Sequence, residues 1–157
     1  MAKNMVKKKI YIGADHAGFE MKEKIKSWLA DKGYKVEDIG AYSYKKIDDY
    51  PVFAERLGIR VAKSDSMGIL FCGSAAGVCI AANKIKGARA VAAMDKVTAK
   101  LSREHNDSNV LCLSAWLLNE KNIKGIIDIW LKTRFSKETR HVRRLALIKR
   151  IEQRGGR

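Results

Sequence analysis

The stretch Gly68–Lys84, "GILFCGSAAGVCIAANK", decides how the rest of the chain is read. Its first residues form an unbroken apolar run ending in Cys72, the pattern of a strand buried on both faces. Small residues follow from Gly73 to Gly77, and the sequence then takes up a helical period. A strand, a tight turn and a helix in succession make half of a parallel βαβ unit.

The same alternation extends in both directions. "KIYIGA" at Lys9 to Ala14 predicts a first strand, and a helix follows from about Phe19 to Lys32 with Met21, Ile25, Trp28 and Leu29 on its apolar face. Gly33 suits a helix C-cap leading into the strand "YKVEDIG". Pro51 suits the first turn of a helix running to about Lys63. "MGILFC", "GARAVAA" and "NVLCLS" predict strands three to five, separated by helices over "AGVCIAANK" and "KVTAKLSREH", with another helix over about Lys121 to Lys132. Ser136 is placed to cap a last helix carrying Glu138 in its first turn and Val142, Leu145, Ile148 and Ile151 at spacing three. Repeated strand-helix units predict an α/β fold, a three-layer α/β/α domain with a five-stranded parallel sheet.

With 157 residues, 46% of them hydrophobic, the chain suits one domain, a core over about 9–135 and an extended helix over about 136–154. Its longest apolar runs fall short of the roughly 20 residues of a membrane span, and "MAKNMVKKK" leads into no signal-peptide core. The expectation is a soluble protein of the cytoplasm, away from membranes. Cys72, Cys79 and Cys112 form no CxxC pair and no Cys/His cluster, which fits a reducing compartment and points to neither disulfide nor zinc. The net charge is +15, and the segment from Lys132 to Arg157 holds ten Lys/Arg against Glu138 and Glu152. Such a balance suits an anionic partner, nucleic acid or a small phosphorylated ligand. Past Phe135 no aromatic interleaves the arginines, which argues against nucleic acid.

In parallel sheets the site gathers at the carboxyl ends of the strands. Four loops are assigned there: "ADHAG", "AYSYKKIDDYP", "CGSAAG" and "HNDSN". The glycine turn matches neither GxxxxGK[ST] nor GxGxxG, since Ala75 stands where the latter needs glycine, so nucleotide binding is a weak reading. What remains is a turn whose N–H groups favour negative charge. A free cysteine is most often buried and inert. A thiol facing a helix N-terminus, however, is expected below the free value of about 8.5, which makes Cys72 a candidate nucleophile or base. Cys79 and Cys112 lack that setting and read as packing. His16 and His105, with Asp15, Asn106 and Asp107, are expected to form a polar cluster near Cys72, without a metal-ligand spacing. Arg140 and Arg144 lie at i, i+4 on one helix face and suit a phosphate clamp.

Five motifs in order, "GADHAG" (Gly13 to Gly18), "DDYP" (Asp48 to Pro51), "CGSAAGVCIAANK" (Cys72 to Lys84), "SREHNDSNVL" (Ser102 to Leu111) and "TRHVRR" (Thr139 to Arg144), resemble the ribose-5-phosphate isomerase type B family, which includes galactose- and allose-6-phosphate isomerases. The resemblance runs from about Lys9 to Gln153. It implies a Rossmann-like domain without nucleotide, interconverting an aldose phosphate and a ketose phosphate with no metal or organic cofactor. Ribose 5-phosphate is the leading substrate, a six-carbon sugar phosphate the alternative. By the resemblance Cys72 is the base, Ser74 moves a proton between the sugar oxygens, and the N–H groups of Gly73, Ser74, Ala75, Ala76 and Gly77 hold the enediolate. His105 opens the ring, Asp15, Asn106 and Tyr50 meet the sugar, and His16, Arg140 and Arg144 contact the phosphate. A homodimer, or a dimer of dimers, with sites shared between subunits is implied, the last helix crossing onto the partner. Two residues depart from the pattern: Ala75 replaces a glycine, and Trp116 stands where many relatives carry a phosphate-binding arginine.

Overall fold

In the computed structural model, which describes residues 7–156, strand residues alternate between two apolar layers. The strands are β1 (Lys9–Ala14), β2 (Val36–Asp38), β3 (Ser66–Cys72), β4 (Ala90–Ala92) and β5 (Val110–Ser114). The helices are α1 (Phe19–Asp31), α2 (Tyr50–Ala62), α3 (Ala76–Ala82), α4 (Lys96–Asn106), α5 (Glu120–Lys132) and α6 (Thr139–Gln153). On one side of the sheet Ile10, Ile12, Ile69, Phe71, Leu111 and Leu113 pack with Ile25 and Leu29 of α1, Ala99 of α4 and the buried face of α5 around Trp130. On the other, Tyr11, Leu70, Cys72, Val110 and Cys112 meet Ala54, Leu57 and Val61 of α2 and Val78 and Ala82 of α3. The result is the three-layer α/β arrangement that the alternation predicts.

All strand pairs are parallel, in the order β2-β1-β3-β5-β4. From β1 the chain passes to β2 on one side, and from β3 to the edge strand β4 on the other before returning to β5, so the topological switch point, where open α/β sheets bind ligands, lies between β1 and β3. No helix among the described residues is long and apolar enough to cross a membrane.

The last helix starts later than its sequence suggests. Glu138, not Ser136, is the N-cap, and the Ser136 hydroxyl instead pairs with His141 Nδ1 at 2.7 Å. That tertiary bond competes with the local cap. Only His141 on α6 is buried, although Glu152 Oε1 also accepts from Gly87 N–H at 2.7 Å. Val142, Leu147, Ile148 and Ile151 stay exposed.

Lys22 is fully buried, its Nζ meeting Asp38 Oδ2 (2.7 Å), Ala41 O (2.5 Å) and Glu23 Oε1 (3.0 Å). Through it α1 holds the start of the long loop leading to α2. Burial raises the Asp38 carboxyl, but Lys22, Lys26 and the Gly40 N–H together hold it below the ordinary carboxylate range. A depressed folded-state value contributes stability present above the unfolded value and lost as pH falls through the folded one. Lys22→Ala is expected to cost about 3 kcal/mol in urea unfolding at neutral pH, and Asp38→Asn to flatten the loss of stability on the acid side.

Candidate active site

At the switch point the central strand ends in Cys72, and two neighbouring loops are tied to its last carbonyls. Asp15 N–H donates to Phe71 O at 3.3 Å from the β1 side, and Ala115 N–H to Cys72 O at 2.9 Å from the β5 side. The buried Ser114 hydroxyl donates to Gly73 O at 2.6 Å, and Trp116 N–H reaches the same oxygen at 3.2 Å. The loops carrying Asp15, His16 and Trp116 are thereby tied to the end of β3.

The loop after Cys72 turns through Ala75, whose φ of 71° is left-handed, into α3. The N–H groups of Val78, Ala75 and Ser74 face the Cys72 sulfur. They do not win: burial pushes the thiol above its ordinary value, the Asp15 carboxylate adds to the shift, and the three N–H groups only oppose it. This corrects the expectation of a lowered value, because the strand end that aims the thiol at the helix also removes it from water. Ser74 is exposed, its Oγ accepting from Ala76 N–H at 3.4 Å.

Tyr50 opens α2, and its ring lies against Gly77, where an added Cβ would stand 2.6 Å from the ring. His16 sits in the single 3-10 turn His16–Gly18 after β1, started by the Asp15 carboxylate accepting from Gly18 N–H at 3.1 Å. Burial raises the Asp15 carboxyl, with Asp48 adding and the Gly18 and Ala17 N–H groups and His16 opposing. Asp48 Oδ1 takes both the backbone N–H of His16 (3.0 Å) and its Nδ1 (2.7 Å). This leaves His16 Nε2 as the nitrogen open to a ligand. Asp48 is a residue that the sequence reading quoted in "DDYP" without assigning a task. Its contact with His16 spans 32 residues, and no local spacing encodes it. Asp15, His16 and Asp48 also bring one potential ligand atom each within 4.8 Å of one another, a grouping invisible in the sequence. Asp48 Oδ1 serves His16 twice, so Asp48 and His16 form a hydrogen-bonded carboxylate–imidazole pair, while Asp15 is held separately by Gly18 N–H and the buried Asp48 Oδ2 has no hydrogen-bond partner among the described residues.

His105 and Asn106 lie elsewhere. They end α4, and the following turn enters β5 at Val110, opposite Gly68 near the start of β3. Cys72 is four residues further along β3, about 13 Å away at roughly 3.3 Å per residue. The expected cluster around Cys72 therefore does not form within one chain. A crossover helix runs back from the carboxyl edge, so a loop that precedes a parallel strand lies at the amino edge.

Much of "SREHNDSN" builds that turn. Arg103 Nη1 holds Asp107 Oδ1 (2.9 Å) and Ser108 O (2.5 Å), while Ser108 Oγ bonds Ser102 Oγ and accepts from Trp130 Nε1, both at 2.8 Å. Asn109 holds Gly87 and Arg89. Asn106 is left exposed and His105 half-buried. The His105 ring lies 4.3 Å from that of His141, which is buried and held by Ser136. Burial keeps His141 below the ordinary imidazole value, and His105 adds to the effect. Arg140 and Arg144 are exposed on α6, with Arg140 Nε on Glu138 Oε2 at 2.8 Å. The site residues thus form two sets: Asp15, His16, Tyr50 and Cys72 to Gly77 at the carboxyl edge, and His105, Asn106, Arg140 and Arg144 in the α4 and α6 region.

Cys112 is fully buried and packs as expected, while Cys79 departs from the reading of plain packing. A hydrogen bond from Cys112 lowers the half-buried Cys79 thiol to about 7, against desolvation and with help from Ala92 N–H.

Ala75→Gly removes about 1–2 kcal/mol of left-handed strain but also one buried methyl worth about 0.8 kcal/mol and about 0.5–1 kcal/mol of chain entropy. Its unfolding free energy is therefore expected to stay within about 1 kcal/mol of the parent. Ala75→Val, β-branched at the same buried backbone angle, should lower it by about 2 kcal/mol or more.

The description of the ribose/galactose isomerase family matches residues 10–148. Ribose-5-phosphate isomerase B of Mycolicibacterium paratuberculosis is 40% identical over 146 residues, covering 92% of each chain. That of Escherichia coli is 40% identical over 148 residues, 94% of this chain and 98% of its own. Among solved structures, ribose-5-phosphate isomerase B from Mycoplasma genitalium with bound ribulose-5-phosphate superposes with a TM-score of 0.89 at 39% identity, covering 92% of this chain and 96% of that one. Sequence and fold agree over nearly the whole length, and the chain belongs to the ribose/galactose isomerase family.

Proposed function

We propose that this protein interconverts ribose 5-phosphate and ribulose 5-phosphate through an enediolate, with Cys72 as the base. The observation that carries the reading is the Cys72 sulfur at the switch-point crevice, faced by the N–H groups of Ser74, Ala75 and Val78. The likeness to isomerases of the same length supports the substrate. The thiolate takes the C2 proton of the open-chain aldose and returns it at C1, while the Ser74 hydroxyl carries a proton between O1 and O2. Substrate and product are isomers, so the step balances without an oxidant or reductant. N–H donors aimed at the developing oxyanion are each worth about 3 kcal/mol of transition-state stabilisation. Asp15, Asn106 and Tyr50 hold sugar hydroxyls, His105 opens the furanose ring, and His16, Arg140 and Arg144 take the phosphate.

The two sets of residues lie too far apart in one chain to act on one five-carbon sugar. A homodimer that sets the α4 and α6 region of one subunit against the carboxyl edge of the other completes each site. The exposed apolar residues of α6 support this arrangement, and free cysteines support a cytoplasmic setting.

Conversion of ribose 5-phosphate to ribulose 5-phosphate by the purified protein tests the reading, and Cys72→Ala should reduce kcat by about 10³-fold. Only the thiolate is a base and its value is raised, so kcat/KM should climb with pH into a limb above the ordinary thiol range. Asp15→Asn removes a charge that raises the thiol and should move that limb to lower pH. Equal activity in Cys72→Ala would dismiss the assigned base. For the shared site, inactive Cys72→Ala and His105→Ala proteins refolded together should recover about a quarter of parental activity, because half of the randomly mixed dimers carry one intact site of two. No recovery would mean that each chain works alone.

A further inference from the structure

Two aromatic rings bracket the Gly73–Gly77 loop, one at each end. Tyr50 lies on Gly77, and the benzo ring of Trp116 lies on Gly73, where an added Cβ would come within 2.6 Å of Cε2, Cζ2 and Cη2. The segment carrying the indole is pinned: Ala115 N–H to Cys72 O (2.9 Å), Trp116 N–H to Gly73 O (3.2 Å), Ser114 Oγ to Gly73 O (2.6 Å) and Leu117 N–H to Ser114 Oγ (3.0 Å). Yet Trp116 is 73% exposed, while Trp130 is fully buried. An indole on a fixed backbone, with an exposed face next to a loop of N–H donors, is a stacking surface whose ordering cost is partly met.

Building on the isomerase reading above, we propose that Trp116 is a substrate-facing wall that selects five-carbon over six-carbon sugar phosphates. The open-chain sugar is tethered at two points, its C1–C2 end at Cys72 and its phosphate beyond the other end of the chain. A sixth carbon between fixed ends must bow sideways. The indole at Gly73 and the phenol at Gly77 close the two sides into which it would bow. The indole face takes the C–H side of the sugar and leaves the phosphate to charged groups.

The test compares the parent with Trp116→Ala and Trp116→Phe. The measurements are kcat/KM for ribose 5-phosphate and allose 6-phosphate, calorimetric Kd for ribose 5-phosphate and for inorganic phosphate, and assembly state by sedimentation. Trp116→Ala is expected to raise KM and Kd for ribose 5-phosphate about tenfold with little change in kcat. The pentose-to-hexose preference should fall by about tenfold or more, while the Kd for inorganic phosphate stays within about twofold. Trp116→Phe should keep most of the preference. An unchanged preference in Trp116→Ala, a phosphate Kd that weakens in step with the sugar's, or dissociation of the variant into smaller species overturns the wall. A parent that binds ribose 5-phosphate without turning it over overturns the isomerase reading instead. The wall then stands or falls on whether Trp116→Ala weakens sugar binding alone.

Discussion

β3 is buried along all seven of its residues, and a strand so enclosed cannot end with bare backbone groups. The carbonyls of Phe71, Cys72 and Gly73 must be met by donors from outside the strand, and these come from the loop after β1 and the turn after β5. Satisfying them brings the loops that carry Asp15, His16 and Trp116 to the end of the strand. The site is in this sense a by-product of closing the centre of the sheet. The same enclosure removes Cys72 from water, which raises its thiol above the ordinary value.

The layered fold was legible because each strand announces itself by a run of apolar residues and each helix by its period. β1 falls on the six residues "KIYIGA", and Pro51 sits in the first turn of α2 as its fixed φ requires. What the sequence did not carry was the edge on which a loop falls. "HNDSN" has the look of a site loop, yet it precedes a parallel strand, and three of its residues, Asp107, Ser108 and Asn109, are occupied in holding α4 to β4 and β5. Ser136 was misread for a related reason: a capping residue type was claimed by a histidine five positions later. The ionisation of Cys72 was misjudged because the helix N–H groups can be inferred from local sequence, whereas burial depends on α2 and on the far strands.

Charge follows the same division. Near His16 the fold places carboxylates, Asp15 and Asp48, while the cationic excess gathers on α6, which carries Arg140, Arg143, Arg144, Lys149 and Arg150. Around His16 a lone chain therefore sets two acidic groups beside one imidazole. In the proposed dimer the partner's helix supplies the missing positive potential. The association proposed to complete the site would thus also make it attractive to phosphate.

The thiol pair of α3 and β5 has a practical corollary. At neutral pH the half-exposed Cys79, near 7, carries far more thiolate than the buried, upshifted Cys72. Cys79 sits in the first turn of a helix that begins in the Gly73–Gly77 loop, so a group added to its sulfur would press on that loop. Loss of activity on alkylation therefore does not by itself assign the base to Cys72, because Cys79 offers a second reactive thiol.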